Sequence, residues 1–141
     1  MHEVYIKICQ LTDYLRYINY KFSVLAVSET WANEINSDYL VIPGYNRVLK
    51  NRAERGGGVV IFVDDKLAFK QRPDFNSFAN TNFECVFIEI TDTILKNIII
   101  GTVYRPPDTN LDIFMNGFES VINILSKTKT ECLLAGDYKP T

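Results

Sequence analysis

Two apolar segments that each end in a carboxylate most constrain how this chain can fold. Residues 24–28 are strand-forming and are followed at once by Glu29. Residues 131–135 form a second such segment, and Asp137 stands two positions beyond it. Strands of α/β proteins commonly deliver polar side chains to one edge of a sheet, so this pattern predicts that the two acids share a site. The alternative is that Glu29 caps a turn.

Length, charge and cysteine content set the class of protein. A chain of 141 residues that is 47% hydrophobic predicts one globular domain over residues 1–141, without a membrane span or a secretion signal. A net charge of −2 means that any contact with nucleic acid has to come from a local basic patch. Cys9, Cys85 and Cys132 form no CxxC pair and lie in apolar surroundings. They predict reduced, buried thiols of an intracellular protein, either cytoplasmic or nuclear.

Hydrophobic periodicity predicts a mixed α/β chain. One helix is expected over residues 11–20, and a second, with Thr109 as its N-cap, follows the apolar stripe from Leu111 to Leu125. The strands are expected, in chain order, at residues 24–28, 45–49, 59–63, 83–90, 97–104 and 131–135. The pair 83–90 and 97–104 predicts an antiparallel hairpin.

A basic segment leads into the third of these strands. Lys50, Arg52 and Arg55 precede three glycines at 56–58. Glycines permit positive φ and a close backbone approach, which suits a hairpin turn with solvated charges or a contact with a phosphate backbone. The segment is not a P-loop, because no Lys-Ser/Thr follows and the glycines enter a strand.

Two prolines at 106–107 end the strand over residues 97–104 and hold Tyr104 and Arg105 at its end. A phenol and a guanidinium at this place can bind an anion. The alternative is a tyrosine packed on the rim of the sheet beside a solvated arginine.

Five motifs, taken together and in order, resemble the endonuclease/exonuclease/phosphatase superfamily. They are Ser-Glu-Thr-Trp at 28–31, Pro-Gly-Tyr at 43–45, Arg-Gly-Gly-Gly-Val at 55–59, Tyr-Arg-Pro-Pro at 104–107 and Leu-Leu-Ala-Gly-Asp-Tyr at 133–138. The likeness is greatest to the AP-endonuclease-like domain that precedes the reverse transcriptase of non-LTR retrotransposons. It implies an α/β fold, a partial two-layer β-sandwich flanked by helices, which is an incomplete DNase I-like αββα fold.

The resemblance also implies a magnesium-dependent cleavage of phosphodiester bonds in DNA. Glu29 corresponds to the ligand of Mg²⁺, an ion that is held by few carboxylates. Asp137 corresponds to the acid that positions or deprotonates the attacking water, and Tyr104 to the donor that binds the scissile phosphate. Four basic residues are expected to contact the DNA phosphates: Lys50, Arg52, Arg55 and Arg105.

Some positions depart from the family pattern. Lys139 and Pro107 stand where relatives have asparagine, and the one histidine, His2, lies outside any Ser-Asp-His motif. The family's first strand is not recognisable in residues 1–9. We therefore expect a truncated domain that lacks the second sheet, and self-association through the sheet face left uncovered.

The function expected from these features is that of a remnant or fragment of a target-site-nicking endonuclease with little or no activity alone. Two alternatives stay open. One is a non-catalytic module on the same fold that binds nucleic acid or protein, and the other is a fragment of a phosphatase of the same superfamily.

Overall fold

The computed structural model describes residues 2–33, 35–50, 57–92 and 96–137. Its helices and strands are, in chain order, α1 (His2–Ile18), β1 (Val24–Ser28), β2 (Tyr45–Lys50), β3 (Val59–Asp64), β4 (Phe69–Gln71), β5 (Glu84–Ile90), β6 (Ile98–Tyr104), α2 (Leu111–Lys127) and β7 (Glu131–Asp137). Short 3-10 helices lie at Ser37–Tyr39 and Pro73–Phe78.

The strands form two sheets. The first has the order β1-β3-β2 and is antiparallel throughout. The second has the order β4-β5-β6-β7; β4, β5 and β6 pair antiparallel, whereas β7 runs parallel to β6. The parallel pair needs a crossover connection, which α2 supplies. The predicted hairpin of β5 and β6 is confirmed.

The two sheets pack face to face through a continuous apolar core. Alternate residues of each central strand point inward, among them Ile61 and Val63 of β3 and Val86 and Ile88 of β5, all of them buried. The expectation that the second sheet is absent, leaving one inner face without a partner, is therefore wrong. Three strands and four strands are enough to build both layers.

A helix covers the outer face of each sheet. On the first sheet, Ile8 of α1 joins Val60 and Phe62 in one buried cluster. On the second, Phe114 and Val121 of α2 pack in another cluster with Phe83, Cys85 and Phe87 and other residues of that sheet. The layers thus follow the order helix, sheet, sheet, helix, which is the predicted α/β class.

Several local predictions need correction. Helix α1 begins at His2, well before the predicted residue 11. The N-cap of α2 is Asn110, whose side chain accepts a hydrogen bond from the Ile113 N–H, and not Thr109. Cys85 is buried as predicted, but Cys9 and Cys132 are only partly buried.

One side of the sandwich is open. Strands β1 and β7 are edge strands in the described part of the chain, and both lie on this side. Ala26 and Ala135 are exposed there, and Leu133 is 60% exposed. Apolar surface is therefore uncovered along these edges and not over a whole sheet. None of the helices in the described ranges has the length and hydropathy that crossing a bilayer requires; the cellular compartment stays a prediction.

Candidate active site

The strand registers gather four side chains at one rim of the sandwich. Tyr104, the last residue of β6, pairs with Glu84 at the start of β5 and with Asp137 at the end of β7. On the first sheet, β1 ends at Ser28, so Glu29 leaves the sheet at the same rim. The predicted meeting of the two strand-end acids is thus what the topology produces.

A cavity of about 140 Å³ lies at this rim. It is lined by Glu29, Tyr104, Arg105, Pro106, Pro107, Asp108 and Asp137. Four of the predicted site residues therefore face one cavity: Glu29, Tyr104, Arg105 and Asp137. A much larger cavity of about 410 Å³ lies around Tyr20 and Tyr45, but it contains none of the predicted site residues.

The phenol of Tyr104 is tied to the carboxylate of Glu29. Its hydroxyl donates a hydrogen bond of 2.8 Å to Glu29 Oε1. Burial raises the pKa of Tyr104 well above its usual value near 10, and the negative charges of Glu29, Glu84 and Asp137 act in the same direction. The phenol therefore stays protonated at neutral pH and remains a hydrogen-bond donor.

The backbone of Glu29 adopts an unusual conformation. Its φ is 54°, in the left-handed region that side-chain-bearing residues rarely adopt. The next two N–H groups are bonded to the glycine turn: Thr30 N donates to Gly58 O at 3.3 Å, and Trp31 N donates to Gly57 O at 2.9 Å. Such strain costs on the order of 1 kcal/mol and persists only where the surroundings fix it, which is typical of functional sites.

The glycine turn itself needs glycine. Gly58 has φ 87°, and a Cβ at this position would lie 2.4 Å from Thr30 Oγ1. This close approach brings the turn against the segment that carries Glu29. The turn lies between the antiparallel strands β2 and β3, as the hairpin alternative requires, whereas contact with a phosphate backbone stays a prediction; Gly56 lies outside the described residues.

Glu84 is a site residue that the sequence did not reveal. Its side chain is buried, 5% exposed, and Oε2 accepts a hydrogen bond of 2.8 Å from the Gly58 N–H. The residue thus connects the second sheet to the turn that holds Glu29. The available signal was a carboxylate at the start of an otherwise apolar strand, which in an antiparallel hairpin lies beside the strand end at Tyr104.

The loop after β6 is held in place by Arg105. Its N–H donates to the Asp137 carbonyl at 2.9 Å, and its guanidinium Nη2 donates to the Thr109 carbonyl at 2.9 Å. The side chain is partly buried and still faces the cavity. Arg105 therefore fixes the position of the loop and also carries positive charge beside the carboxylates.

The remaining basic candidates lie around the same rim or outside the described residues. Lys50 is exposed at the end of β2 and pairs with Val59. Since β3 separates it from Ser28, the two backbones are about 10 Å apart. Arg52, Arg55 and Lys139 fall outside the described ranges.

The donor set is compatible with Mg²⁺. The carboxylates of Glu29 and Asp137 face one cavity, and Mg²⁺ is commonly held by one or two carboxylates while it keeps several waters. Within residues 2–33, 35–50, 57–92 and 96–137, no group of three or more His, Cys, Asp or Glu side chains is placed to hold a metal. The protein would therefore supply few ligands, and water and substrate the rest.

The helix–sheet–sheet–helix stack of this chain is a DNase I-like fold, with two acids and a tyrosine at one rim. Two solved structures that share this fold each match more than nine tenths of this chain. The endonuclease domain of TRAS1, a telomere-specific non-LTR retrotransposon, matches with a TM-score of 0.64 and 14% identity, over 93% of this chain and 53% of that domain. ANGEL2, a 2′,3′-cyclic phosphatase, matches with a TM-score of 0.62 and 14% identity, over 92% of this chain and 42% of its own.

These likenesses establish the fold and nothing more, because the identity is only 14% in both cases. The chain spans about half of the length of the TRAS1 domain and about two fifths of that of ANGEL2. No protein-family model matches the sequence, and no curated protein does.

Proposed function

We propose that this chain carries the metal-binding half of a magnesium-dependent nucleic-acid phosphodiesterase. The observation that carries the proposal is the convergence of Glu29, Tyr104 and Asp137 on one cavity, with the Tyr104 hydroxyl bonded to Glu29 at 2.8 Å. Carboxylates gathered beside a tyrosine favour a divalent cation and, through it, a phosphate. The likeness to the TRAS1 endonuclease domain favours DNA as the substrate class.

Each residue of the rim has a role in this proposal. Glu29 would hold Mg²⁺, which when bound supplies positive charge to a phosphate oxygen. Asp137 is a carboxylate acceptor that can orient a water molecule. Tyr104, kept protonated by its raised pKa, can turn its one O–H from Glu29 to a phosphate oxygen when Mg²⁺ occupies the Glu29 carboxylate. Arg105 and Lys50 add positive charge for the flanking phosphates.

We expect slow or no cleavage by this chain alone. In the related Ser-Asp-His motif a histidine contacts the phosphate at the reacting centre, and His2, the one histidine of this sequence, lies outside any such motif. Loss of an acid–base group costs roughly 10²- to 10⁴-fold in rate. Binding of metal and DNA is therefore a more sensitive readout of the site than cleavage.

The test combines metal binding, DNA binding and nicking. We expect the protein to bind Mn²⁺, which is measured as a decrease in the EPR signal of free Mn²⁺. We also expect it to bind a fluorescent DNA duplex more tightly when Mg²⁺ is present. Glu29→Gln should abolish both effects. Glu119→Gln, which changes an exposed carboxylate on α2, is the matched control. Absence of any Glu29-dependent metal effect would overturn the proposal, and DNA binding without it would favour a non-catalytic module.

A phosphatase is the second candidate, and the likeness to ANGEL2 favours it. The same carboxylates can serve a terminal or cyclic phosphate, because the chemistry of the phosphorus centre is similar. The two candidates differ in substrate. Plasmid nicking with Mg²⁺ supports the endonuclease, whereas opening of a 2′,3′-cyclic nucleotide without nicking supports the phosphatase. Robust nicking that Glu29→Ala abolishes would contradict the expected inactivity of this chain alone.

We also infer that copies of the chain associate through the open side of the sandwich. Edge strands β1 and β7 present backbone groups that can pair with another strand, and Leu133 adds exposed apolar surface between them. Leu133→Lys should lower the sedimentation-average mass at high concentration. Leu111→Lys, which changes a 39% exposed leucine on α2, should leave it unchanged. A wild-type protein that stays monomeric would overturn this inference.

A further inference from the structure

Trp31 is held in a strained conformation next to the candidate site. It is the one tryptophan of the chain and lies two residues beyond Glu29. Its φ is 58°, which a bulky residue adopts rarely and at a cost. The N–H bond to Gly57 O at 2.9 Å fixes this backbone. The strain therefore places the indole where an extended backbone would not.

Lys7 of α1 connects the indole to the candidate site. Its ammonium lies 4.9 Å from the centre of the Trp31 ring and 3.3 Å from the Glu29 carbonyl oxygen, to which it donates a hydrogen bond. A cation within about 6 Å of an indole is attracted to its face. One positive charge thus lies between the aromatic ring and the residue proposed to hold the metal.

A third cavity opens at this place. It has a volume of about 290 Å³ and is lined by Ile6, Lys7, Gln10 and Trp31. This volume is near the lower end of the roughly 300–1,000 Å³ typical of ligand pockets, which suits a single ring system. Its lining combines an aromatic ring, an aliphatic side chain that is 39% exposed, an amide and an ammonium group.

We propose that this cavity binds one base of the nucleic-acid strand whose phosphate occupies the rim site. The proposal rests on the proposed function and adds a subsite to it. The Lys7 ammonium lies over the indole in this structure, so a base can stack on the ring once Lys7 turns to the phosphate of the bound nucleotide. Gln10 offers a donor and an acceptor for the edge of the base. Stacking on an aromatic side chain tolerates any base, so the subsite supplies affinity without sequence preference.

The spacing suits a strand that spans both places. Two residues of extended chain cover at most about 7 Å, so the Cα atoms of Glu29 and Trp31 are no farther apart than this. Successive phosphates of one strand recur about every 3.4 Å along a duplex axis and are farther apart in an unstacked strand. We therefore expect a phosphate at the rim and a base in the cavity to belong to nearby nucleotides of one strand. An unpaired or splayed strand is the expected ligand.

The test uses the fluorescence of Trp31, which no other tryptophan obscures. A short single-stranded thymidine oligonucleotide should quench this fluorescence with a saturable curve, and the same oligonucleotide with abasic residues should quench it far less. Glu119→Gln, which changes an exposed carboxylate on α2, should keep the quenching, because this residue lines neither cavity. Equal quenching by abasic and normal oligonucleotides would overturn the proposal.

Affinity measured by anisotropy of a labelled oligonucleotide provides the second readout. Trp31→Leu should weaken binding about tenfold, Trp31→Phe by less since a ring remains, and Lys7→Gln by a few-fold that shrinks at high salt. Tyr17→Leu removes an 87% exposed ring from the same helix and should have no effect. Metal- and Glu29-dependent DNA binding that Trp31→Leu leaves unchanged would overturn the subsite and leave the proposed function standing. Base-dependent quenching with no metal dependence at Glu29 would do the reverse.

Discussion

Tyr104 and Glu29, separated by 75 residues in the chain, meet in a hydrogen bond of 2.8 Å across the rim of the two sheets. Tyr104 belongs to the second sheet, and Glu29 leaves the edge strand of the first. The bond therefore exists only because the sheets pack in one register. It links the stability of the sandwich to the geometry of the candidate site.

Replacing this tyrosine should separate the two roles of its hydroxyl. Tyr104→Phe should lower the free energy of unfolding by at most about 1.5 kcal/mol, because water can replace the lost donor at the exposed Glu29 carboxylate. It should lower Mg²⁺-dependent DNA affinity about tenfold if the phenol contacts phosphate. The matched control is Tyr45→Phe, which removes a 2.7 Å bond to the Phe22 carbonyl at the opposite rim. If both variants bind DNA as the wild type does, Tyr104 has no part in binding.

Gly58 should be among the least replaceable residues of the turn. Gly58→Ala combines an unfavourable positive φ with a Cβ only 2.4 Å from Thr30 Oγ1, and should cost about 3 kcal/mol in chemical denaturation. Gly44→Ala is the control for the conformation alone. Its φ is 84°, and its added Cβ would meet the flexible end of Lys21 at 3.3 Å, so it should cost about 1 kcal/mol. Equal costs would show that the contact with Thr30 is unimportant.

Glu84 should act through the turn that it binds. Glu84→Ala leaves the buried Gly58 N–H without this acceptor and should cost about 2 kcal/mol, whereas Glu84→Gln keeps a carbonyl acceptor and should cost less. Glu84→Ala should also weaken Mn²⁺ binding, because the glycine turn that Glu84 binds also holds the backbone directly after Glu29. Unchanged Mn²⁺ binding in a folded Glu84→Ala variant would show that Glu84 has no positioning role.

The parts of this structure that the sequence predicts are those with a local signal. The apolar stripe of α2 and the continuous apolar run of β6 identify their elements because periodicity and burial coincide. The first half of α1 was missed, because Ile8 is buried there while Tyr5 and Ile6 are exposed, so no clear stripe forms. The N-cap was placed one residue early because threonine and asparagine are adjacent and both can cap.

The candidate site likewise contains residues that have a local signal in the sequence and residues that have none. Glu29 and Asp137 could be predicted because each lies at the C-terminal end of an apolar segment with strand-forming residues. The bond between Glu84 and Gly58 joins residues 26 apart on different sheets, and no periodic pattern encodes it. The prediction that the second sheet is missing is wrong, because the likeness to longer domains indicates where strands are lost but not how the present strands divide between two sheets. The three strands of the first sheet are sufficient to cover the inner face of the second.

Cys85 should be nearly inert toward thiol reagents in the folded protein. Burial raises the pKa of its thiol to about 12, and its side chain is fully buried. At pH 8 roughly one in 10⁴ molecules then carries the thiolate, which is the reactive form. Cys9 and Cys132 are partly exposed and should be modified first. Mass spectrometry of peptides after brief labelling with N-ethylmaleimide measures the order; early labelling of Cys85 would mean that β5 opens readily.

Glu89 should give the protein a measurable dependence of stability on acid pH. Its side chain is only 7% exposed, and burial alone would raise its pKa, but hydrogen bonds from Asn97, Lys70 and Arg72 outweigh burial and hold the pKa below its usual value. The Arg72 bond is 2.9 Å long. A lowered pKa means that the charged form favours folding, so this contribution is full above the unfolded pKa near 4.3 and is lost as pH falls through the folded value.

The variant Glu89→Gln tests this directly. It keeps the size of the side chain and removes the charge, so it should destabilise by about 2 kcal/mol at pH 7. The difference from wild type should shrink below about pH 4.3, where the wild-type carboxylate begins to be protonated in the unfolded chain. Urea denaturation from pH 7 to pH 3 measures this, with Glu119→Gln on exposed α2 as the control. A difference that stays constant over this range would mean that the destabilisation does not come from the charge of Glu89.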